Sequence, residues 1–476
     1  MTSDAPQQTR APASADPSRT PPGQPRVDVV SGPIRRTMLV LALPVLAEQL
    51  LNTLVGLVDT YLAGRISPTA TSAVGVAAYV SWLVSMLIML VATGTTALVS
   101  RCEGAGDHVE ANRFCNQSLT LAALVGVGLG AMIYAIAPWL AASFNMTGEA
   151  YDVTVTYLRV EAIGEMPMSI TLVASAAFRG IGRMRVPMFV FAVINFVNVI
   201  AAVSLVYGLG PLPALGVNGI VCGTLIARLL GTVIILSVLV LGRAGLILRR
   251  HELPITLVRA RRILRIGLPA AIDGGVMWSG QFVFLLIIAR LAPQPLGEAY
   301  FAAHIVAVRV EAFTYLPAVA WGAASATMIG QALGAGATRR AVQAGNEGVL
   351  QCGLLATGIA ICFALGASFI YQVMSTDPIV QSVGTGPFRI LAVFQPLLVV
   401  SIVYVAGLRG AGDTRFPLLI TLVGAFLIRV PLGYYCGIVL QWGLLGAWMG
   451  MFGDMTWRAI GGSARFLSER WVHARV

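Results

Sequence analysis

The chain has 476 residues, 57% of them hydrophobic and only 11% charged, with a mean hydropathy of +0.81. That balance excludes a soluble globular domain and points to an all-α polytopic membrane protein. The formal net charge is +11, all 32 basic residues are arginine, and their distribution follows membrane topology rather than a nucleic-acid face.

Residues 1–32, rich in Pro, Ala, Ser, Thr and Gln, read as a disordered cytoplasmic tail without a signal-peptide core. Twelve apolar runs follow, near 38–63, 73–100, 114–139, 154–178, 187–208, 216–241, 264–289, 300–328, 341–371, 381–407, 416–436 and 443–462. With a cytoplasmic N-terminus, the short inside loops hold 16 arginines. The outer side has only Arg65, Arg290, Arg159 and Arg389. The positive-inside rule then puts both termini in the cytoplasm, and the expected setting is the cell's inner (plasma) membrane.

The first run carries Glu48, Asn52 and Asp59 inside PVLAEQLLNTLVGLVDTYLAG. At about 100° per residue, Glu48 and Asp59 lie roughly 20° apart and Asn52 within about 40° of either, so the three share one stripe. A charged side chain costs about 2.5–3.5 kcal/mol at the bilayer centre, so this stripe faces protein or a wet cavity where a proton or cation neutralises it.

Further along, Glu161 and Glu165 lie four residues apart on one helical face, where two like charges suit a proton carrier or a structural cluster. Asp273 occupies the seventh run, with Met277 one turn on and Gln281 about 80° round, as candidate cavity lining. His304, Glu311 and Tyr315 form one stripe of the eighth run, with Pro317 beyond it, as a candidate relay or buried network. Arg228, Arg309 and Arg429 are expected to neutralise such acids. Six scattered cysteines and four histidines show no metal-binding spacing, and no enzyme motif is present.

The chain repeats itself. At an offset of 225 residues, LALP ending at Pro44 recurs as IGLP ending at Pro269, and Glu48 pairs with Asp273. At 230, GAG 104–106 recurs at 334–336, and RGIGRMRVP (179–187) as RGAGDTRFP (409–417). Six helices were duplicated, and an even number gives two parallel repeats. The division is an amino-terminal lobe (33–241), an Arg-rich cytoplasmic linker (242–263), a carboxy-terminal lobe (264–462) and a cytoplasmic tail (463–476). Two lobes on one chain suit a monomer.

Twelve helices in two halves, Pro44 followed by Asp59 and Thr60, the paired RGxGxxR turns and the GxxG openings of helices six and twelve resemble the multidrug and toxic compound extrusion (MATE) family. The resemblance covers residues 33–465. It implies two six-helix lobes around a V-shaped cleft, and export of organic cations or amphiphiles in exchange for H⁺ or Na⁺, without a cofactor. It also implies an amino-lobe ion site at Asp59, Asn198 and Thr224, with Pro44 as the hinge of the first helix. Ala202, Met277 and Leu398 stand where some members carry further polar or acidic residues, which favours H⁺. On this reading Glu48 and Asn52 assist Asp59, and Glu161, Glu165, Asp273, Met277, Gln281, His304, Glu311 and Tyr315 line the cleft. A lipid-linked precursor flippase of the same superfamily is the alternative, and it would require an arginine-lined cleft.

Overall fold

The computed structural model describes residues 29–144, 146–211, 213–293 and 296–473. The expected N-terminal tail lies outside these residues up to position 28, as do the last three residues. All regular structure among the described residues is helical.

The membrane helices are α1 (Ile34–Ile66), α2 (Pro68–Gly104), α3 (His108–Ser143), α4 (Glu149–Ile163 and Glu165–Gly180), α5 (Arg185–Tyr207) and α6 (Val217–Leu241). The second set is α7 (Leu257–Ile288), α8 (Leu296–Gly334), α9 (Thr338–Met374), α10 (Pro378–Gly410), α11 (Arg415–Val439) and α12 (Gly443–Leu467). Ten of these are long and apolar enough to cross a membrane. The other two are α4, broken at Gly164, and α12, which carries Asp454 and Arg458. The helices overrun the apolar stretches because their polar ends stay helical. Side chains cap several N-termini, as Asp107 does by accepting from the Glu110 N–H at 2.9 Å.

The repeat is visible in the backbone. Gly182 and Gly412, 230 residues apart, turn the chain in the two RGxG motifs at φ of 78° and 91°, in the left-handed region that side chains disfavour. In α11 the α-helix widens into π turns at Val423–Arg429 and Tyr435–Val439. Pro431 has no N–H to return to the preceding turn, and the helix relaxes around that gap.

Each half has its own apolar core, but the first helix of each half begins in the other one. Met38, Leu41, Ala42 and Val45 of α1 pack with Trp321, Met328, Cys352 and Val403 of the carboxy half. Ile263 and Ile266 of α7 pack with the amino-half core. Farther along, Leu62 and Ala63 of α1 join the amino core and Phe284 and Ile288 of α7 the carboxy core. Both helices cross over near their prolines, Pro44 and Pro269.

This exchange seals the halves together at the end that holds Ile34 and Leu467. A Cβ on Gly104 would strike the Gln331 backbone, and one on Gly334 would strike the Arg101 backbone. Those two contacts are the same contact seen from the two repeats. Thr327 Oγ1 donates to the Arg179 carbonyl at 3.0 Å, and Gln331 Nε2 to the Gly180 carbonyl at 2.8 Å. The amino half's RGxG turn is thereby fixed to α8. On the same side, Arg340 Nε donates to the Val29 carbonyl at 2.9 Å and holds the segment before α1 against α9.

Candidate functional site

The acids of α4 flank its break. Glu161 ends the first segment and Glu165 opens the second, both buried. Arg228 of α6 reaches across, Nη1 to Glu165 Oε1 at 3.0 Å and Nη2 to Glu161 Oε1 at 3.3 Å. Gly164 permits this approach, since a Cβ there would sit 3.2 Å from the Arg228 side chain. Ser81 of α2 donates to Glu161 Oε1, while Glu161 Oε2 is buried without a partner.

Asp59 of α1 joins this cluster. Its Oδ1 is buried without a hydrogen-bond partner, and it lies within electrostatic reach of Glu161 and Arg228. Three carboxylates therefore lie within electrostatic reach of one guanidinium, and two of them are paired with it. Each ionised carboxylate left unbalanced in a low-dielectric setting is costly, and a proton or small cation within the cluster would lower that cost.

Neutral oxygens stand on the neighbouring helices. Asn198 of α5 donates to Thr224 Oγ1 of α6 at 2.8 Å, and its own Oδ1 is buried without a partner. Asn52 accepts from Asn195 Nδ2 at 3.1 Å, which ties α1 to α5. Asn195 escaped the sequence reading, although its place one turn before Asn198 put it on nearly the same face.

Glu48 sits elsewhere. It is buried and bound to Arg179 of the RGxG turn, with Nη1 at 2.9 Å from Oε1 and 3.2 Å from Oε2. Eleven residues of helix separate it from Asp59, a rise of about 16 Å. A shared stripe gave the two residues one face but not one depth. Asp273 repeats this arrangement in the carboxy half, buried and bound to Arg409, the first residue of the second RGxG turn.

The remaining candidates form a second network. Arg429 in the π turn of α11 binds Asp454 Oδ2 of α12 at 2.6 Å and donates to Gln281 Oε1 of α7 at 2.7 Å. Arg458, one turn beyond Asp454, binds its Oδ1 at 2.9 Å and approaches Met277 Sδ at 3.3 Å. Glu311 of α8 accepts from Gln395 Nε2 of α10 at 3.1 Å, and Gln395 also accepts from Thr314. Tyr315 is half exposed. His304 is 1% exposed, edge-on to Phe284 and Trp448, with neither ring nitrogen hydrogen-bonded. It lies inside the carboxy core. Among the described residues no group of His, Cys, Asp and Glu could hold a metal ion, and the six cysteines are free.

A family model described as MatE matches residues 44–203 and again 269–435, its two starts falling on the repeated prolines. The chain is 30% identical over 445 residues to the probable multidrug resistance protein NorM of Thermotoga maritima, covering 93% of this chain and 94% of that one. It is 27% identical to the multidrug resistance protein PmpM of Pseudomonas aeruginosa, covering 89% of each. Among solved structures, one described as MATE in the straight conformation superposes with a TM-score of 0.86 at 21% identity, over 94% of this chain and 99% of that one. One described as the outward-facing conformation of a multidrug resistance MATE family transporter gives the same values: TM-score 0.86, 21% identity, 94% and 99%.

Proposed function

The chain belongs to the MatE family of multidrug efflux transporters, and from that premise we propose that it is a secondary antiporter exporting cationic or amphiphilic small molecules in exchange for H⁺ or Na⁺. It is a multi-pass membrane transporter rather than an enzyme, and it needs no cofactor. The proposed setting is the inner membrane, with both termini cytoplasmic and the chain acting as a monomer.

One observation carries the coupling site: Glu161 and Glu165 are paired with Arg228, and Asp59 lies within electrostatic reach of them with a buried oxygen that has no partner. Asp59 is the exchanging member, because it has no cationic partner of its own while Glu161 and Glu165 are held by the guanidinium. Asn198 and Thr224 add neutral oxygens nearby. A set this sparse in oxygen donors favours H⁺ over Na⁺.

The mechanical step follows from α1 crossing between halves. Neutralising Asp59 removes a charge that burial and Glu161 oppose, and so changes how the outer part of α1 rests against the α4–α6 cluster. That part can then repack about Pro44 while Glu48 stays fastened to Arg179. One elementary charge crossing 100 mV is worth about 2.3 kcal/mol, a bias of about 50-fold between two arrangements. Met277, Gln281, Glu311 and Tyr315 keep some exposure and are the carboxy half's proposed substrate wall. Asp273 and His304 act from inside that half, as support.

The flippase alternative asks for arginines that face the cleft free of acids. Arg228 and Arg429 are both bound to carboxylates and Arg458 shares Asp454, while Arg309, expected to neutralise an acid, is exposed on α8 with no ion pair among the described residues. The test is export from proteoliposomes with H⁺ and Na⁺ gradients imposed separately. Asp59→Asn should abolish gradient-driven export while preserving expression and melting temperature. Full export by that variant removes Asp59 from the mechanism.

A further inference from the structure

The two halves provide a control for each other. Arg228 of α6 and Arg458 of α12 lie on corresponding helices but three residues out of register, since the GVNG (216–219) and GLLG (443–446) openings of those helices match at an offset of 227. Arg228 is bound by two carboxylates, Glu161 and Glu165. At the 230-residue offset of α4 and α10 those acids become Leu391 and Gln395. The acid beside Arg458 is Asp454 of its own helix, and Arg429 takes the other oxygen of that acid. Arg458 therefore shares one carboxylate with Arg429, whereas Arg228 is bound by two.

The remaining donors of Arg458 show the shortfall. Nη1 meets only the thioether of Met277, a weak acceptor, and Nη2 is buried without a partner, in a residue 8% exposed. Glu311 is within electrostatic reach of both arginines but is held by Gln395. A buried guanidinium short of acceptors is costly, and an anionic oxygen is the group that relieves it. Met277 is partly exposed and forms the edge through which such a group reaches Nη1 and Nη2.

We propose that Arg458, bordered by Met277 and Gln281, is an anion subsite of the carboxy half that binds the carboxylate of an amphiphilic substrate. The subsite rests on the reading of the cleft as a small-molecule export path. It adds that a zwitterion would place its carboxylate here and its cationic end toward the acids of the amino half. The planar fork of arginine suits a carboxylate, whose two oxygens match Nη1 and Nη2.

The test uses a matched pair of dyes, rhodamine 110, which has a free carboxylate, and rhodamine 123, its methyl ester. Binding of each to the purified full-length protein is read by fluorescence polarisation, with no ion gradient. Arg458→Gln should weaken binding of the acid at least tenfold relative to the ester. Met277→Glu keeps Arg458 and supplies an internal carboxylate at the same nitrogen, and should cause the same selective loss. Equal changes for acid and ester in both variants, or unchanged acid binding in folded Arg458→Gln, would overturn the subsite. Should Arg458→Gln not fold, Met277→Glu decides alone. Loss of gradient-driven export in Asp59→Asn reports on the coupling site and not on this ratio, so the two readings fail separately.

Discussion

Neutralising Glu48 tests whether the ion pair at the crossover holds the halves shut. Glu48→Gln preserves shape and removes the charge, leaving Arg179 with no carboxylate at 2.9 Å. The side chains are 5% and 18% exposed, so both partners are largely withdrawn from solvent. Removing one member of a buried pair costs about 3–5 kcal/mol, and the residual exposure of Arg179 places this pair near 3 kcal/mol. Only the closed seam bears that cost, because parting of the halves lets water reach the guanidinium. The equilibrium should therefore move about 100-fold toward the parted arrangement. Spin labels at Ala105 and Ala335, repeat-equivalent exposed residues in the two GAG turns, read the separation directly. A longer-distance population should appear in Glu48→Gln and disappear in the Glu48→Gln, Arg179→Gln double variant, which has no stranded charge. An unchanged distance distribution with a lowered melting temperature would refute the gating argument and leave the pair a stability element.

Four other outcomes follow from the same geometry. Asp273→Asn should part the seam as Glu48→Gln does, since Asp273–Arg409 is the repeat equivalent, and the same labels check it. Gly104→Ala would drive a methyl group into the Gln331 backbone, and the labels should show the seam opening while the isolated helix gains slightly in propensity. Gly164→Val would push Arg228 off Glu161 and Glu165, and proteoliposome export should fall at least tenfold with the protein still inserted. His304→Phe should be neutral or raise the melting temperature, because both ring nitrogens are buried without partners between aromatic rings; a proton-relay role requires lost export instead.

The fold was largely legible because membrane helices announce themselves by continuous apolar content and arginine asymmetry, which need no knowledge of packing. The duplication was legible from short motifs at offsets of 225–230. Partner choice was not. Glu48 and Arg179 are 131 positions apart and Asp273 and Arg409 are 136 apart, and nothing local links them. Helical angle placed Glu48 beside Asp59, yet the face of a helix says nothing of depth along it. The exchange of the first parts of α1 and α7 was equally hidden, because Met38 and Ile263 would serve either core.

The duplicated frame explains why coupling and recognition can occupy different halves. Two copies of one six-helix unit begin with equivalent residues at each position, and the paired RGxG latches kept that equivalence. Both still bind an acid four residues beyond a crossover proline, as a hinge used symmetrically requires. The midplane positions diverged. In the amino half Glu161 and Glu165 pair with Arg228 and Asp59 lies beside them, an excess of negative charge. The carboxy half has Leu391 and Gln395 in place of the α4 acids, and its Arg458 shares Asp454 with Arg429. A cleft with such walls discriminates by charge at both ends, so gradient coupling can be lost through Asp59 without changing what the opposite wall binds.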